Sequence, residues 1–368
     1  LKSLYIHFPF CEAKCHYCDF YSLGRERTRS GDADLFETAL RAECEQKAHW
    51  LSPSLDTIFL GGGTPSMTPP DSMKRALEPL WKKTQVSADT EWTMEANPSS
   101  ISLDSMKAYR AMGINRVSMG VQSMREELLT RLGRVHSREA AIRALDAVFE
   151  AGFENVSVDL LCGVPSQSRE DLEEALGTLT SFPITHLSCY LLTLPPHHRM
   201  YKELPDEDTQ LAHLLLIDDW MSQQGFEHYE ISNFARPGKQ ARHNLHYWKG
   251  ASYLGLGPSA HSFDQPTRTR WKNVSSLHKY AALLKSDQSA IDHQEILTAE
   301  QLGLEKWMLA LRLSEGFPAD WLDTPARKSR ASRLEQEGLL ESHPRELTRK
   351  RLTPRGFALS DQIISALS

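Results

Sequence analysis

Over its first 190 residues the chain repeats one unit: a short β-branched or aromatic run, a polar or glycine-rich turn, then a stretch of helical period. The runs fall at 4–8, 57–60, 91–95, 116–120, 155–160 and 186–191. Helical patterns lie between them at 34–51, 71–83, 103–112, 137–151 and 169–180. Asp34 and Ser137 read as helix N-caps, and Gly113 and Gly152 stand where helices are terminated. Strands that alternate with helices predict a parallel sheet with right-handed crossovers. Six such units make an α/β fold, either a partial (β/α)6 barrel or a doubly wound sheet, and periodicity alone does not choose.

The rhythm then changes. A long amphipathic helix is predicted over 206–224, with Leu211, Leu214, Leu215, Ile217 and Met221 along its apolar stripe. Residues 226–273 are rich in His, Tyr, Trp, Asn and Gly. Between Pro325 and Arg355 nine Lys or Arg face four Glu, a local excess of five positive charges. Helix, turn, basic strand and helix in that order predict a small winged-helix-like helical domain. The expected segments are 1–205, 206–297 and 298–368. The net charge of −6 hides the basic end and argues against a dedicated nucleic-acid binder, so no nucleic acid is expected as partner. No apolar run approaches the roughly 18 residues of a membrane span. Residues 4–10 are apolar but contain His7 and Pro9, which makes a poor secretory signal. A reducing cytoplasm is the expected compartment, with peripheral contact at the inner face of the membrane left open.

Six cysteines are present. Cys44, Cys162 and Cys189 are scattered in apolar contexts and read as core thiols. Cys11, Cys15 and Cys18 are different, because C-x₃-C-x₂-C lets three soft thiolates wrap one side of a metal centre. Zinc prefers four ligands, and His7 or His16 could supply the fourth. A cubane iron–sulfur cluster usually takes four cysteines, so three leave one iron open to an outside ligand.

Cys11-Glu-Ala-Lys-Cys15-His-Tyr-Cys18 resembles the signature of the radical S-adenosylmethionine (SAM) superfamily. That resemblance implies a partial barrel of radical SAM type, a 4Fe–4S cluster on Cys11, Cys15 and Cys18, and SAM on the open iron. An electron donor would reduce the cluster, and SAM would then be cleaved to a 5′-deoxyadenosyl radical, the cofactors carrying the difficult chemistry. Other residues extend the match at the ends of predicted strands, where a barrel places its site. Gly62, Gly63 and Thr64, within Gly61-Gly62-Gly63-Thr64-Pro65-Ser66, resemble the loop that holds the methionyl amino group. Glu95, Gln122, Arg134 and Asp159 align with SAM-contacting positions of the coproporphyrinogen III dehydrogenase-like branch. Arg134 suits the methionyl carboxylate, since a guanidinium forks onto two oxygens. Tyr5, Tyr17, Thr193 and His261 match positions near SAM, the aromatics against adenine.

Two departures divide that branch. The dehydrogenase group continues to a fourth cysteine, and here that position is Phe20. The haem-chaperone group has Cys-Asp-Phe there and a downstream HNxxYW motif, matched by His243-Asn244-Leu245-His246-Tyr247-Trp248. An imidazole can ligate haem iron and aromatic faces can flank a porphyrin. Composition alone favours an aromatic cluster that ties a loop to the core, and the motif match reverses that preference. The resemblance implies a haem carrier with His243 as axial ligand, His246 as the second candidate, and haem-accepting respiratory enzymes as partners. No side chain is assigned a catalytic role. The alternative is an oxygen-independent coproporphyrinogen III dehydrogenase, which would form protoporphyrinogen IX by oxidative decarboxylation. A zinc-stabilised regulator that uses its basic end on nucleic acid is a third reading.

Overall fold

The computed structural model describes residues 1–368. In chain order the first half runs β1 (Ser3–Phe8), α1 (Asp32–Lys47), β2 (Thr57–Gly62), α2 (Pro70–Trp81), β3 (Glu91–Ala96), α3 (Leu103–Ala111), β4 (Arg116–Gln122), α4 (Glu126–Leu132), α5 (Arg138–Glu150), β5 (Asn155–Cys162), α6 (Arg169–Thr180) and β6 (His186–Leu191). The second half runs α7 (Glu207–Gln223), β7 (Glu227–Glu230), β8 (Asn233–Ala235), α8 (Arg242–Trp248), β9 (Leu254–Leu256), β10 (His261–Asp264), β11 (Thr269–Asn273), α9 (Leu277–Lys285), β12 (Ile291–Ile296), α10 (Ala299–Leu311), β13 (Phe317–Pro318), α11 (Pro325–Gln336), β14 (Leu340–Ser342), β15 (Arg349–Leu352), α12 (Pro354–Ala358) and α13 (Ser360–Leu367).

The six expected strands and five expected helices all form. Ser137 caps α5, its hydroxyl accepting from the Ala140 N–H at 3.2 Å. Gly113 and Gly152 take left-handed φ values of 108° and 88°. Asp34 is not a cap, however. Gly31, at φ 89°, stands in that position, and Asp34 lies in the first turn of α1, where a carboxylate suits the positive end of the helix. Short α4 had no strong periodic signal.

Two compact units emerge, each built from discontinuous stretches. The first comprises Leu1–Asp159, Phe182–Ile184 and Ala251–Ile296. Its strands lie in the order β9-β1-β2-β3-β4-β5, and the pairings from β9 through β4 are parallel. The strands alternate: Ile58, Leu60, Met94, Val117 and Met119 share one face by register and are fully buried, while the opposite face carries polar residues such as Thr57, Thr93, Glu95 and Ser118. A small antiparallel sheet, β10-β11-β12, belongs to the same unit. Glu43 of α1 pins the adjoining loop. It accepts from the Gly257 N–H, Asn273 Nδ2 and Tyr280 Oη, each at 2.7 Å.

The second unit comprises Leu160–Ser181, Thr185–Gly250 and Leu297–Ser368. In it β8 pairs antiparallel with both β6 and β7. Its C-terminal part has the winged-helix-like layout, helices around the antiparallel sheet β13-β15-β14, over a core of Trp307, Leu311, Phe317, Leu340, Leu352 and Phe357. Much of the basic excess is paired there: Arg327 with Asp323, Arg333 with Glu337, Lys350 with Glu335 and Arg351 with Glu341. No helix is long and apolar enough to cross a membrane.

Candidate functional site

Alternation along a strand sends residues two apart to one face, so Tyr5 and His7 of β1 share a face. In register, His7 lies beside Gly61, and Glu95 of β3 beside Ser118 of β4. The polar groups predicted at strand ends therefore meet. Tyr5 Oη is 3.0 Å from His7 Nδ1. Ser118 donates to Asp159 Oδ1 at 3.1 Å, and the Gly62 N–H donates to Glu95 Oε2 at 3.1 Å.

Burial dominates the electrostatics. The Glu95 carboxyl is pushed up to about 8, first by desolvation and then by the Asp159 carboxylate, against the opposing Gly62 hydrogen bond. His7 is driven down to about 4 by desolvation, partly countered by its bond to the Tyr21 carbonyl. Nε2 makes that bond at 2.7 Å and Nδ1 faces Tyr5, so both ring nitrogens of His7 are engaged. His16 is tied to α4 through its Nδ1, 3.0 Å from the Arg131 carbonyl. The two contacts of His7 weigh against it as a fourth zinc ligand.

The cysteine loop leaves β1 and folds back on itself. The Cys11 N–H donates to the Leu23 carbonyl at 2.9 Å and the Leu23 N–H to the Pro9 carbonyl at 2.6 Å. All three thiols are free and half-buried. Thr64 Oγ1 donates to Cys11 Sγ at 3.7 Å, and Arg134 Nη1 to Cys15 Sγ at 3.3 Å. Desolvation pushes the Cys11 and Cys18 thiols up, and each also feels the charge of Cys15. Tyr17 is raised too, chiefly by burial, with Arg134 opposing and Cys15 and Cys18 adding. No group of three His, Cys, Asp or Glu is gathered closely enough to hold a single ion.

The glycines are sterically required. Gly62 has φ 105°, and a Cβ there would lie 2.5 Å from the His7 ring. At Gly63 it would lie 2.5 Å from the Phe10 carbonyl oxygen, and at Gly61 2.9 Å from Glu95 Oε2. β4 ends at Gln122, a non-glycine residue held at φ 68°, a conformation that costs energy and is concentrated at functional sites. Arg134 Nη2 donates to the Gly120 carbonyl at 2.5 Å, while its buried Nε has no partner. That leaves a buried donor available to an anion.

The structure thus links Tyr5, Tyr17, Gly62, Gly63, Thr64, Glu95, Gln122, Arg134 and Asp159 with the three cysteines in the first unit. His261, on β10, stands close enough to His7 to depress it. Thr193 lies in the second unit, exposed in the turn after β6. Sequence reading missed the ties of His7 to Tyr5 and to the Tyr21 carbonyl; the period-2 spacing of Tyr5 and His7 on β1 was the available signal for the first alone. It also missed His136, buried at about 4 with its Nε2 3.0 Å from the Val121 carbonyl.

The HNLHYW segment forms α8 in the second unit. His243 is fully buried, and its Nε2 is 2.8 Å from Tyr247 Oη, one helical turn on. His246 is half-buried. Glu230 lies beneath, 1% exposed, with Asn233, Ser232, Trp248 and Arg312 around it. None of these meets its oxygens in full hydrogen-bond geometry, and burial pushes the carboxyl up to about 7. No sequence signal marked that carboxylate.

Comparison with known proteins places this geometry in context. The Radical SAM superfamily pattern matches residues 5–179. The chain is 34% identical to the haem chaperone HemW of Mycobacterium tuberculosis (strain H37Rv), over 99% of this chain and 94% of that protein. It is 35% identical to HemW of Bacillus subtilis (strain 168), covering 86% and 84%, and 39% identical to HemW of Escherichia coli (strain K12), covering 70% and 69%. Among solved structures, coproporphyrinogen III oxidase (HemN) from Escherichia coli superposes with a TM-score of 0.83 at 24% identity, over 99% of this chain and 89% of that one. That likeness shows the fold.

Proposed function

The chain belongs to the radical SAM superfamily and, within it, to the family of the haem chaperone HemW, and we propose that it binds haem and delivers it to acceptor proteins. The observation that carries this reading is kinship with curated haem chaperones along almost the whole chain, 99% of it in one case. The HNLHYW helix α8 supplies the candidate haem ligand, His243, with His246 as the alternative. As folded, the His243 Nε2 faces the Tyr247 hydroxyl, so ligation requires that hydroxyl to yield.

The first unit fits a cluster and SAM on its own chemistry. Three free thiols beside a buried guanidinium suit an anionic iron–sulfur cluster on Cys11, Cys15 and Cys18. Bound there, the cluster supplies the electron that SAM cleavage needs. The unpartnered Nε of Arg134 suits the methionyl carboxylate, and Glu95 with Asp159 suits the amino group and ribose hydroxyls. Tyr5, Tyr17, Gln122, Thr193 and His261 are assigned to the SAM surroundings. Cargo would then be carried by the central stretch 206–297, with 298–368 as a separate small basic domain. Respiratory enzymes as acceptors, an electron donor for the cluster, and a cytoplasmic location are part of this reading.

The dehydrogenase alternative needs a thiol where this chain has Phe20, whose ring is 66% exposed. The test is a titration of the purified protein with haem, followed by its Soret band. Haem uptake is expected, with the haem held by α8 lost in His243→Ala. Absence of uptake by the wild-type protein would refute the proposal.

A further inference from the structure

The first unit holds a cavity of about 370 Å³ beside α1 and α2, reached by Cys11 but by none of the residues assigned to SAM. Its walls are apolar. Phe36 of α1 packs edge-on against Phe8 and Phe10, with ring centroids 5.5 and 5.6 Å away. Buried Met73 and Ala76 of α2 add to the lining, and half-buried Met67 joins it from the turn after Gly61-Gly62-Gly63.

Two exposed arginines, Arg25 and Arg29, also line this cavity, at its open side. Glu37 does not oppose them, because Arg75 neutralises it through two hydrogen bonds of 2.6 and 2.7 Å. Arg25 lies 3.6 Å from Glu12, an exposed pairing that contributes little and is readily exchanged. Apolar walls with a few convergent polar groups are the usual make-up of a small-molecule pocket, and this volume falls in that range. Aromatic faces ask for a flat apolar body, and two forked cations at the opening ask for carboxylates along one edge. Met67 in the lining brings a thioether, a soft ligand type for a haem-type iron.

Building on the haem-carrying reading, we propose that this pocket is a second porphyrin site, with Arg25 and Arg29 on the propionates and Met67 beside the metal. The cavity is too small to enclose a whole porphyrin, so the propionate edge stays in water. A cargo held by one face and an exposed edge is placed for release.

Metal-free protoporphyrin IX separates this site from α8, because it takes no axial ligand. Titrated into the full-length protein and followed by fluorescence, it is expected to bind one per chain. Ala33→Trp, at an exposed lining position, should weaken that binding at least tenfold, and so should Arg25→Glu combined with Arg29→Glu. His243→Ala should leave it unchanged. Protoporphyrin affinity unaltered in both pocket variants, or no binding by the wild type, would overturn the proposal. Haem stoichiometry unchanged in the pocket variants but reduced in His243→Ala would leave the carrier reading standing without the pocket.

Discussion

The backbone N–H of Gly62 donates to Glu95 Oε2 across 3.1 Å, the only favourable partner given to a carboxyl that burial and Asp159 push up to about 8. A carboxyl raised to about 8 is mostly protonated at neutral pH before SAM binds. To accept the ammonium of SAM it must lose that proton, so SAM should bind more tightly as pH rises towards 8, by up to about tenfold per unit. Equilibrium dialysis from roughly pH 6 to 8 checks this, and Glu95→Gln should flatten the profile. The same shift governs stability. The ordinary value is 4.5 and the folded value about 8, so the unfolded chain gives up the proton first. Stability linked to Glu95 is fully present below about 4.5 and is lost as pH rises through about 8; Glu95→Gln should remove that loss.

Gly62→Ala should be severe. The left-handed φ costs about 1–2 kcal/mol for a residue with a Cβ, and that atom would fall 2.5 Å from the His7 ring. A loss of at least about 2 kcal/mol in denaturant unfolding is expected. A substitution at Gly303, where a Cβ meets nothing within 4 Å, serves as the contrasting control in an exposed part of the chain.

Arg134→Lys keeps the charge but removes the fork. SAM affinity should fall by about ten- to a hundredfold while iron and sulfide content stay unchanged. Cluster loss in this variant would instead assign Arg134 to the thiolates it touches through Cys15.

Tyr247→Phe removes the hydroxyl that competes for His243 Nε2. If His243 ligates haem, the variant should bind haem up to about tenfold more tightly, since a hydrogen bond of this kind is worth about 0.5–1.5 kcal/mol. Soret titration would decide. Affinity unchanged in Tyr247→Phe and in His243→Ala, but lost in His246→Ala, would move the ligand to His246.

The parts legible in the sequence were those where one physical pattern repeats. Residues such as Ile58, Met94 and Val117 are buried on one face of the sheet, so apolar and β-branched residues at alternate positions announced the strands. Cys11, Cys15, Cys18 and the triple glycine were legible through their spacing and their resemblance to a known family. Three kinds of feature were not. Asp34 resembled a cap because side-chain chemistry was visible and the left-handed backbone at Gly31 was not. The φ of 68° at Gln122 is imposed by its surroundings, and nothing in its residue type signals it. The closed state of His243 depends on the depth of α8, whose mixed aromatic and polar residues give no period from which burial could be read. The compact units are also assembled from separated stretches, and that interleaving follows from tertiary packing alone.

Haem transfer by the reconstituted protein tests the central claim most directly. Anaerobically reconstituted protein loaded with one haem is mixed with a haem-free respiratory acceptor, and both spectra are followed, with coproporphyrinogen III and SAM supplied in a parallel reaction. The haem-chaperone account predicts that haem passes to the acceptor and that no protoporphyrinogen IX forms. Haem retained or never taken up, together with protoporphyrinogen IX appearing in the parallel reaction, would contradict it.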